Sequence, residues 1–557
     1  MATSVALRNP IDCKISLEVS GRQRAGFEGI TLLTIFAVLV HGYHPYAEDG
    51  GIYLAGIKRL LDPQLYPYWS GFVTAHLRFS LFAPMVAFVV RQSSISLMTV
   101  MLLLYIASTW MTLFAGWHLV IRCCRTLEAC YAAVSLMALS LTIPIAGTSL
   151  MLMDPYVSAR SISTPCALFA LVGMMDIRHK LNRGDSVLSW QSIGLCVAPL
   201  LVAAMVHPLM AGYALVCVSL FLCLSSPSQR ARMTGALGFL LAALLLAVCI
   251  FHFPLPPIHD YALVARTRTY WFIDQWRWYE QFGLAAPIAI LALVSFQRRS
   301  GFPRNSVWLA QVGIVAGTTG LIVALFFARA TLPINLVARF QPLRIFYVVY
   351  ALMILAIGAT LGDLVLRRSV SRWVAMFLLL GTTMFYVQRQ TFPNSAHLEF
   401  PWNAQTNDWQ QAFLWIKANT PRDAVFAMDA EYVTEPGEDA QNFRAIAERS
   451  ALPDYSKDGG VASIAPTLTP QWEMGETVQK DLNPATDEHR ITTLHSAEVG
   501  WVVLSRSAAT MFECDYMNKT VKVCRLPWNT RQEGRPPTRI VTHHPDQSNF
   551  RSPPGHR

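Results

Sequence analysis

Charged side chains are scarce in this chain. Asp, Glu, Lys and Arg make up 14% of its 557 residues, whereas a soluble domain carries about 25%. Hydrophobic residues reach 53% and occur in runs of about 20, the length that crosses a bilayer core of about 30 Å. This composition excludes an ordinary soluble globular protein and predicts a polytopic α-helical membrane protein.

Several familiar signatures are missing from the sequence. It has no zinc-ligand spacing, no Walker loop and no dinucleotide fingerprint. No small-residue cleavage site follows the apolar segment 27–43, which is therefore interpreted as a retained span. The net charge of +10 does not indicate a nucleic-acid partner, because the basic residues cluster in short loops, where they set membrane topology.

The apolar runs predict about eleven transmembrane helices. If the count is right, every basic loop falls on one side, which should be the cytoplasm. Residues 1–26 then form a cytoplasmic tail, 27–391 the transmembrane bundle, and everything after 391 a periplasmic region of a protein in the bacterial inner membrane. The predicted spans are 27–45, 94–121, 126–146, 161–177, 188–206, 209–225, 232–252, 279–297, 305–327, 343–362 and 372–390.

The first outer loop, residues 46–93, contains two apolar segments that we do not expect to cross the membrane. Residues 52–61 carry apolar side chains at helical spacing with Lys58 and Arg59 between them, which predicts an amphipathic helix in the interface plane. Residues 77–90 are short and interrupted by Pro84, which predicts a re-entrant or interfacial piece.

From residue 392 the composition changes to that of a small α/β domain, predicted over 392–530. The pattern predicts a helix ending at Thr420-Pro421, strands at 424–429 and 500–505, and two further strands around a turn at Asn518. The polar, Pro-rich segment 531–557 is predicted to be disordered. Cys514 and Cys524 lie on opposite sides of the last hairpin, where an oxidising compartment favours a disulfide. The alternative is two unpaired strand thiols.

An acidic pair, Glu48-Asp49 in "HPYAEDGG", directly follows the first span. Asp49 is a good helix N-cap residue, with Glu48 facing water. The alternative is a catalytic pair. An acidic pair after the first span, an interfacial helix and a large domain after the last span together resemble the GT-C superfamily of membrane glycosyltransferases. "DWQQAFLWIKANTPRDAVF" at 408–426 also resembles the start of the outer domain in GT-C-like proteins, including uncharacterised bacterial ones.

The resemblance implies sugar transfer from a polyprenyl-phosphate donor to a glycan, lipid or protein acceptor. It implies that one acid, for which we take Asp49 with Glu48 as its helper, acts as base or binds a divalent cation such as Mg²⁺ or Mn²⁺. Transfer needs a carboxylate that deprotonates or positions the attacking hydroxyl. Partial desolvation at the membrane edge is expected to raise the pKa of Asp49 and make it a better base.

Arginines in the outer loops are candidates for binding the lipid phosphate, because their planar fork binds two oxygens. Arg160, Arg339 and Arg344 are the candidates, and snorkelling to lipid headgroups is the alternative. Asp154 is either a second site carboxylate or a turn cap before Pro155. His207 either approaches the cavity or is an ordinary turn histidine.

Two other functions compete with glycosyl transfer. A transporter is disfavoured, because charged residues are scarce inside the predicted spans and no internal repeat is visible. A non-catalytic membrane protein on a GT-C-like scaffold, with the outer domain binding a partner, remains the alternative, since a fold does not fix a function.

Overall fold

A computed structural model describes residues 10–183, 189–226, 228–253, 260–296, 304–434 and 442–528. Two parts follow each other along the chain: a helical body up to residue 391 and a C-terminal domain from residue 392 that contains the sheet. Residues 1–9 of the predicted tail and the whole predicted disordered segment, 531–557, lie outside the described residues. The first helix already begins at Pro10, inside the segment predicted as a tail.

The helical body is built from apolar helices, several of which begin at a side-chain cap. The Ser96 hydroxyl accepts a hydrogen bond from the backbone N–H of Thr99, and Thr126 does the same for Ala129, which satisfies amide groups that have no partner inside the helix. The helices are α1 (Pro10–His41), α2 (Glu48–Leu61), α3 (Gly71–Thr74), α4 (Phe82–Ser93), α5 (Leu97–Val120), α6 (Leu127–Leu139), α7 (Ala159–Arg183), α8 (Trp190–Val206), α9 (Pro208–Leu224), α10 (Gln229–Phe251), α11 (Tyr261–Arg266), α12 (Trp278–Phe296), α13 (Arg304–Phe327), α14 (Leu336–Arg339), α15 (Phe346–Leu361) and α16 (Val370–Thr391).

Each predicted span falls on one of these helices. Within the described ranges, six segments are long and apolar enough to cross a membrane: α5, α10, α12, α13, α16 and the segment Leu336–Leu366 that contains α15. The apolar parts of α1, α6, α8 and α9 are shorter than 18 residues. The described helices are therefore consistent with a polytopic helical membrane protein, and the number eleven remains a prediction.

The 46–93 segment folds against both parts of the molecule. Its helix α2 packs on α4 on one side and on the C-terminal domain on the other, where Lys58 Nζ donates to the Ala445 carbonyl and to Glu448, both at 2.7 Å. Gly51 permits this contact, because a Cβ there would lie 2.2 Å from the Cβ of Asn442. The short helices of Gly71–Arg78 meet α4 at a bend of 100°, a geometry that fits the predicted re-entrant piece.

The C-terminal domain is a five-stranded mixed sheet with helices around it. The strand order is β2-β1-β3-β5-β4, with the first three parallel and the last two antiparallel. The side chains of α17 cover one face, and Leu482 and Leu494 cover the other. The elements are α17 (Asp408–Asn419), β1 (Val425–Ala427), α18 (Phe443–Ala447), β2 (Ser450–Ala451), α19 (Lys457–Ile464), α20 (Thr469–Gln479), α21 (Asp487–His495), β3 (Trp501–Ser505), β4 (Cys514–Met517) and β5 (Val521–Arg525).

The predicted helix and strands of this domain are confirmed. Helix α17 begins where the Asn407 side chain accepts two backbone N–H groups and ends before Thr420-Pro421. Strands β1, β3, β4 and β5 lie inside the predicted segments. Cys514 and Cys524 are opposite each other in the β4–β5 register and are joined by a disulfide in the structure.

Candidate active site

The acidic pair forms the first turn of α2. The N-cap position belongs to Ala47, whose side chain makes no capping hydrogen bond, so the interpretation of Asp49 as an N-cap is wrong. Glu48 has a φ of 49°, which non-glycine residues rarely adopt. The preceding turn is held to the loop that carries Asp154, because the backbone N–H of His44 donates to the Pro155 carbonyl at 2.7 Å.

Arg160 joins the acidic pair to that loop. Its Nη1 donates to Asp49 Oδ2 at 2.8 Å and its Nη2 donates to Asp154 Oδ2 at 2.9 Å. The side chains of Arg160 and Asp154 are 9% and 6% exposed, whereas that of Asp49 is 38% exposed. The guanidinium therefore lies between a buried carboxylate, Asp154, and one that solvent or a ligand can reach, Asp49.

The pKa of Asp49 is shifted downward, whereas its position at the membrane edge predicted an upward shift. Burial raises it, but the charges of Arg160 and Lys457, the hydrogen bond from Arg160 and the charge of Arg344 together lower the pKa to about 2. The expectation of a raised pKa is therefore wrong, because these cations outweigh the desolvation of the carboxylate. Asp49 is a permanent anion at neutral pH and a weak base, while burial raises the pKa of Asp154.

Lys457, at the start of α19, brings the C-terminal domain into the site. Its Nζ donates to Glu48 Oε2, and its backbone N–H donates to Asp454 Oδ1 at 2.6 Å. Sequence reasoning missed Lys457 entirely. It is 409 residues from Glu48, and no local pattern distinguishes it from other surface lysines.

The structure gives different surroundings to Arg344 and Arg339, two of the arginines predicted to bind the lipid phosphate. Arg344 is close enough to Asp49, Arg160 and His207 to influence their titration. It stacks over the Tyr270 ring at 5.5 Å, and in the described part of the chain it forms no ion pair with a carboxylate. Arg339 instead donates to a backbone carbonyl of α19 at 2.9 Å.

His207 lies between α8 and α9 and caps α9. Its Nδ1 accepts a hydrogen bond from the backbone N–H of Met210 at 3.4 Å, which matches the ordinary turn histidine. Burial, with Arg160 and Arg344 adding to its effect, lowers the pKa of His207 to about 3. The histidine is therefore neutral at physiological pH and borders the site as a structural group.

The described donor set does not fit a divalent cation. Asp49 and Asp154 both bind the Arg160 guanidinium, and Glu48 binds Lys457. Across the described residues, no group of three or more His, Cys, Asp or Glu side chains is arranged to hold a metal ion. The positive charge of the side chains around Asp49 also opposes the binding of a metal cation. The site is instead suited to an anionic ligand beside a fixed carboxylate.

Comparisons with known proteins give structural neighbours only. Neither protein-family models nor curated proteins match the sequence. Among solved structures, the chain is similar to the oligosaccharyltransferase of Archaeoglobus fulgidus in complex with Zn and sulfate, with 12% identity and a TM-score of 0.45 over 86% of this chain and 68% of that chain. It is also similar to the archaeal oligosaccharyltransferase AglB from the same organism in complex with an inhibitory peptide and a dolichol-phosphate, with 12% identity and a TM-score of 0.42 over 86% and 69% of the two chains.

Proposed function

We propose that this protein is a GT-C-like membrane glycosyltransferase that moves a sugar from a polyprenyl-phosphate donor to an acceptor on the outer face of the bacterial inner membrane. The acceptor is a glycan, a lipid or a protein. One observation carries the proposal: Arg160 holds Asp49 as an accessible anion where the helical body, the 46–93 segment and the C-terminal domain meet. A lipid-borne donor and a water-borne acceptor meet at such a junction.

The low pKa of Asp49 defines its role. An ionised carboxylate accepts the hydrogen bond of an acceptor hydroxyl and orients the oxygen lone pair toward the anomeric carbon. That oxygen forms the new bond while the bond from the anomeric carbon to the phosphate oxygen breaks and its electron pair leaves with the phosphate. The released phosphate monoester has a second pKa of about 6, so it is a stronger base than Asp49 and takes the proton. Asp49 acts here as a positioning anion.

Arg344 is the side chain that we propose for the donor phosphate. It lies near Asp49 without a carboxylate partner in the described residues, and its Nε is buried and has no hydrogen-bond partner there. A guanidinium binds two phosphate oxygens at once and stabilises the charge that develops on the leaving group. Arg160 already donates to two carboxylates and acts through Asp49. Arg339 is a weaker candidate for the phosphate, because it donates to the backbone carbonyl of Ile464.

Replacing Asp49 tests the proposal. Asp49→Asn keeps the size of the side chain and an oxygen that can accept from Arg160 but removes the charge. We expect normal protein levels with transfer reduced about 100-fold, the scale of a lost positioning contact. Asp62→Asn, at the other end of α2, is the matched control, because Asp62 pairs with Arg422 in the C-terminal domain. The readout is the amount of unmodified acceptor glycan in a deletion strain that carries each variant.

Complete restoration of the deletion strain by Asp49→Asn would remove the main support for an enzyme. The alternative is then a non-catalytic protein on the same scaffold, in which the ion pairs of Arg160 only hold the parts together. The burial of Asp154 and Arg160 is the observation that fits this alternative, since buried ion pairs are often structural.

A further inference from the structure

A second concave site lies beside the middle of α1, away from the acidic pair. It is a groove of about 610 Å³ between α1, α6 and α16, within the range of about 300–1,000 Å³ that ligand sites occupy. Gly29 lines it and α1 ends at His41, so about 18 Å of helix separates it from the turn that leads to Asp49. The groove is therefore distinct from the candidate active site.

Apolar side chains form the walls of the groove. Leu32 and Leu33 of α1, Leu127 of α6 and Val370 of α16 line it. Leu32 is 69% exposed and Val370 is 75% exposed. In the described part of the chain, neighbouring helices leave Leu32 and Val370 largely uncovered, so in a membrane the groove is open to the hydrocarbon chains of the surrounding lipids.

Two adjacent arginines stand at the mouth of the groove. Arg368 Nε lies 3.2 Å from Glu128 Oε1, which is the one carboxylate among the described lining residues. Arg367 has no ion-pair partner in the described part of the chain, so the lining carries a net charge of +1. The φ of Arg367 is 45°, a rare value for a side chain of this size, and Trp373 Nε1 donates to its carbonyl at 3.0 Å.

We propose that this groove binds one anionic phospholipid of the bilayer. An acyl chain lies along Leu32, Leu33 and Val370, and the phosphate meets Arg367 and Arg368. Basic pockets between membrane helices bind anionic headgroups in this way. Trp373 and Tyr131, which also line the groove, are residues typical of the headgroup level. The site does not depend on the proposed transfer reaction, and the sequence places its loop, "RRSVSR", on the predicted cytoplasmic side.

Native mass spectrometry of the full-length protein tests this site without any activity assay. The purified protein is delipidated in detergent and titrated separately with phosphatidylglycerol and phosphatidylcholine of the same chain length. We expect one phosphatidylglycerol per chain, bound about tenfold or more tightly than phosphatidylcholine. The double substitution R367Q/R368Q is expected to remove this preference. Arg125→Gln, an exposed arginine just before α6, is expected to keep it.

Two further measurements keep the test decisive. Leu33→Trp fills the apolar wall and is expected to weaken phosphatidylglycerol binding while both arginines remain. Glycerol phosphate, which is the headgroup without chains, is expected not to compete. Equal binding of the two lipids by the unaltered protein overturns the proposal whether or not any variant folds. The proposal is also overturned if Arg125→Gln loses the preference for phosphatidylglycerol as fully as R367Q/R368Q does. Full competition by glycerol phosphate overturns it as well, because either result removes the role of the groove.

Discussion

Removing the Arg160 guanidinium is the sharpest perturbation that the structure offers. Arg160→Met keeps most of the side-chain volume but leaves Asp154, whose side chain is 6% exposed, without its cation. Removing one partner of a buried ion pair costs about 3–5 kcal/mol, because a buried charge is left uncompensated. The second contact, to Asp49, adds little to this loss, since a pair involving a more exposed carboxylate contributes about 0–1 kcal/mol.

The pH dependence gives this prediction a definite sign. Burial raises the pKa of Asp154, and without Arg160 its main opposing cation is gone. The folded variant then binds more protons than the unfolded chain, so its free energy of unfolding falls as pH rises. We expect the destabilisation by Arg160→Met, measured as equilibrium unfolding in mixed micelles, to be smaller at pH 5 than at pH 8.

A double substitution supplies the control. Arg160→Met combined with Asp154→Leu replaces the buried pair with apolar side chains of similar volume, which is often neutral or stabilising. We expect it to recover most of the stability and to lose the pH dependence. The uncompensated charge of Asp154 is not the cause if the single variant loses the same free energy of unfolding at both pH values. It is also not the cause if the double variant is as unstable as the single one.

Three further predictions concern the arginines, the disulfide and the C-terminal domain. Arg344→Ala should reduce transfer about 100-fold in the deletion-strain assay while Arg339→Ala retains most of it, and equal effects would contradict the assignment of the phosphate to Arg344. Cys514 and Cys524 should resist thiol labelling in the unfolded, oxidised protein until reductant is added, and peptide mapping that finds both labelled beforehand would refute the bridge. Burial and the neighbouring Asp458 raise the pKa of Asp454 to about 7, so the free energy of unfolding should fall as pH rises from about 4 to 7. Asp454→Asn should weaken this pH dependence, and an unchanged slope would argue against the role of Asp454.

Periodicity predicted the elements of the fold well. Long apolar runs located the membrane helices, because the bilayer demands about 20 apolar residues per crossing. The segment around Trp409 and Phe413 predicted α17 correctly, since its apolar side chains recur at helical spacing and pack on the sheet. The short helices α18 and α19 were not predicted, because five and eight residues are too few to show a period.

The site was only half predictable from the sequence. Position along the chain predicted Asp49 and Glu48 as candidate site residues, and loop placement predicted Arg160, Asp154 and Arg344. Their pairings were not predictable, because contacts such as that of Glu48 with Lys457 depend on tertiary packing between distant segments. The wrong direction for the pKa of Asp49 has the same origin. Burial can be guessed from a membrane-edge position, but the cations that outweigh it cannot.

The contacts of Glu48 and Asp49 give a structural reason for two adjacent carboxylates at this point. The two adjacent side chains contact different partners. Asp49 points to Arg160 of the helical body, and Glu48 points to Lys457 of the C-terminal domain. A single acid would hold one of these two parts. The pair holds both, and it leaves the more constrained anion, Asp49, near Arg344, which forms no ion pair with a described carboxylate.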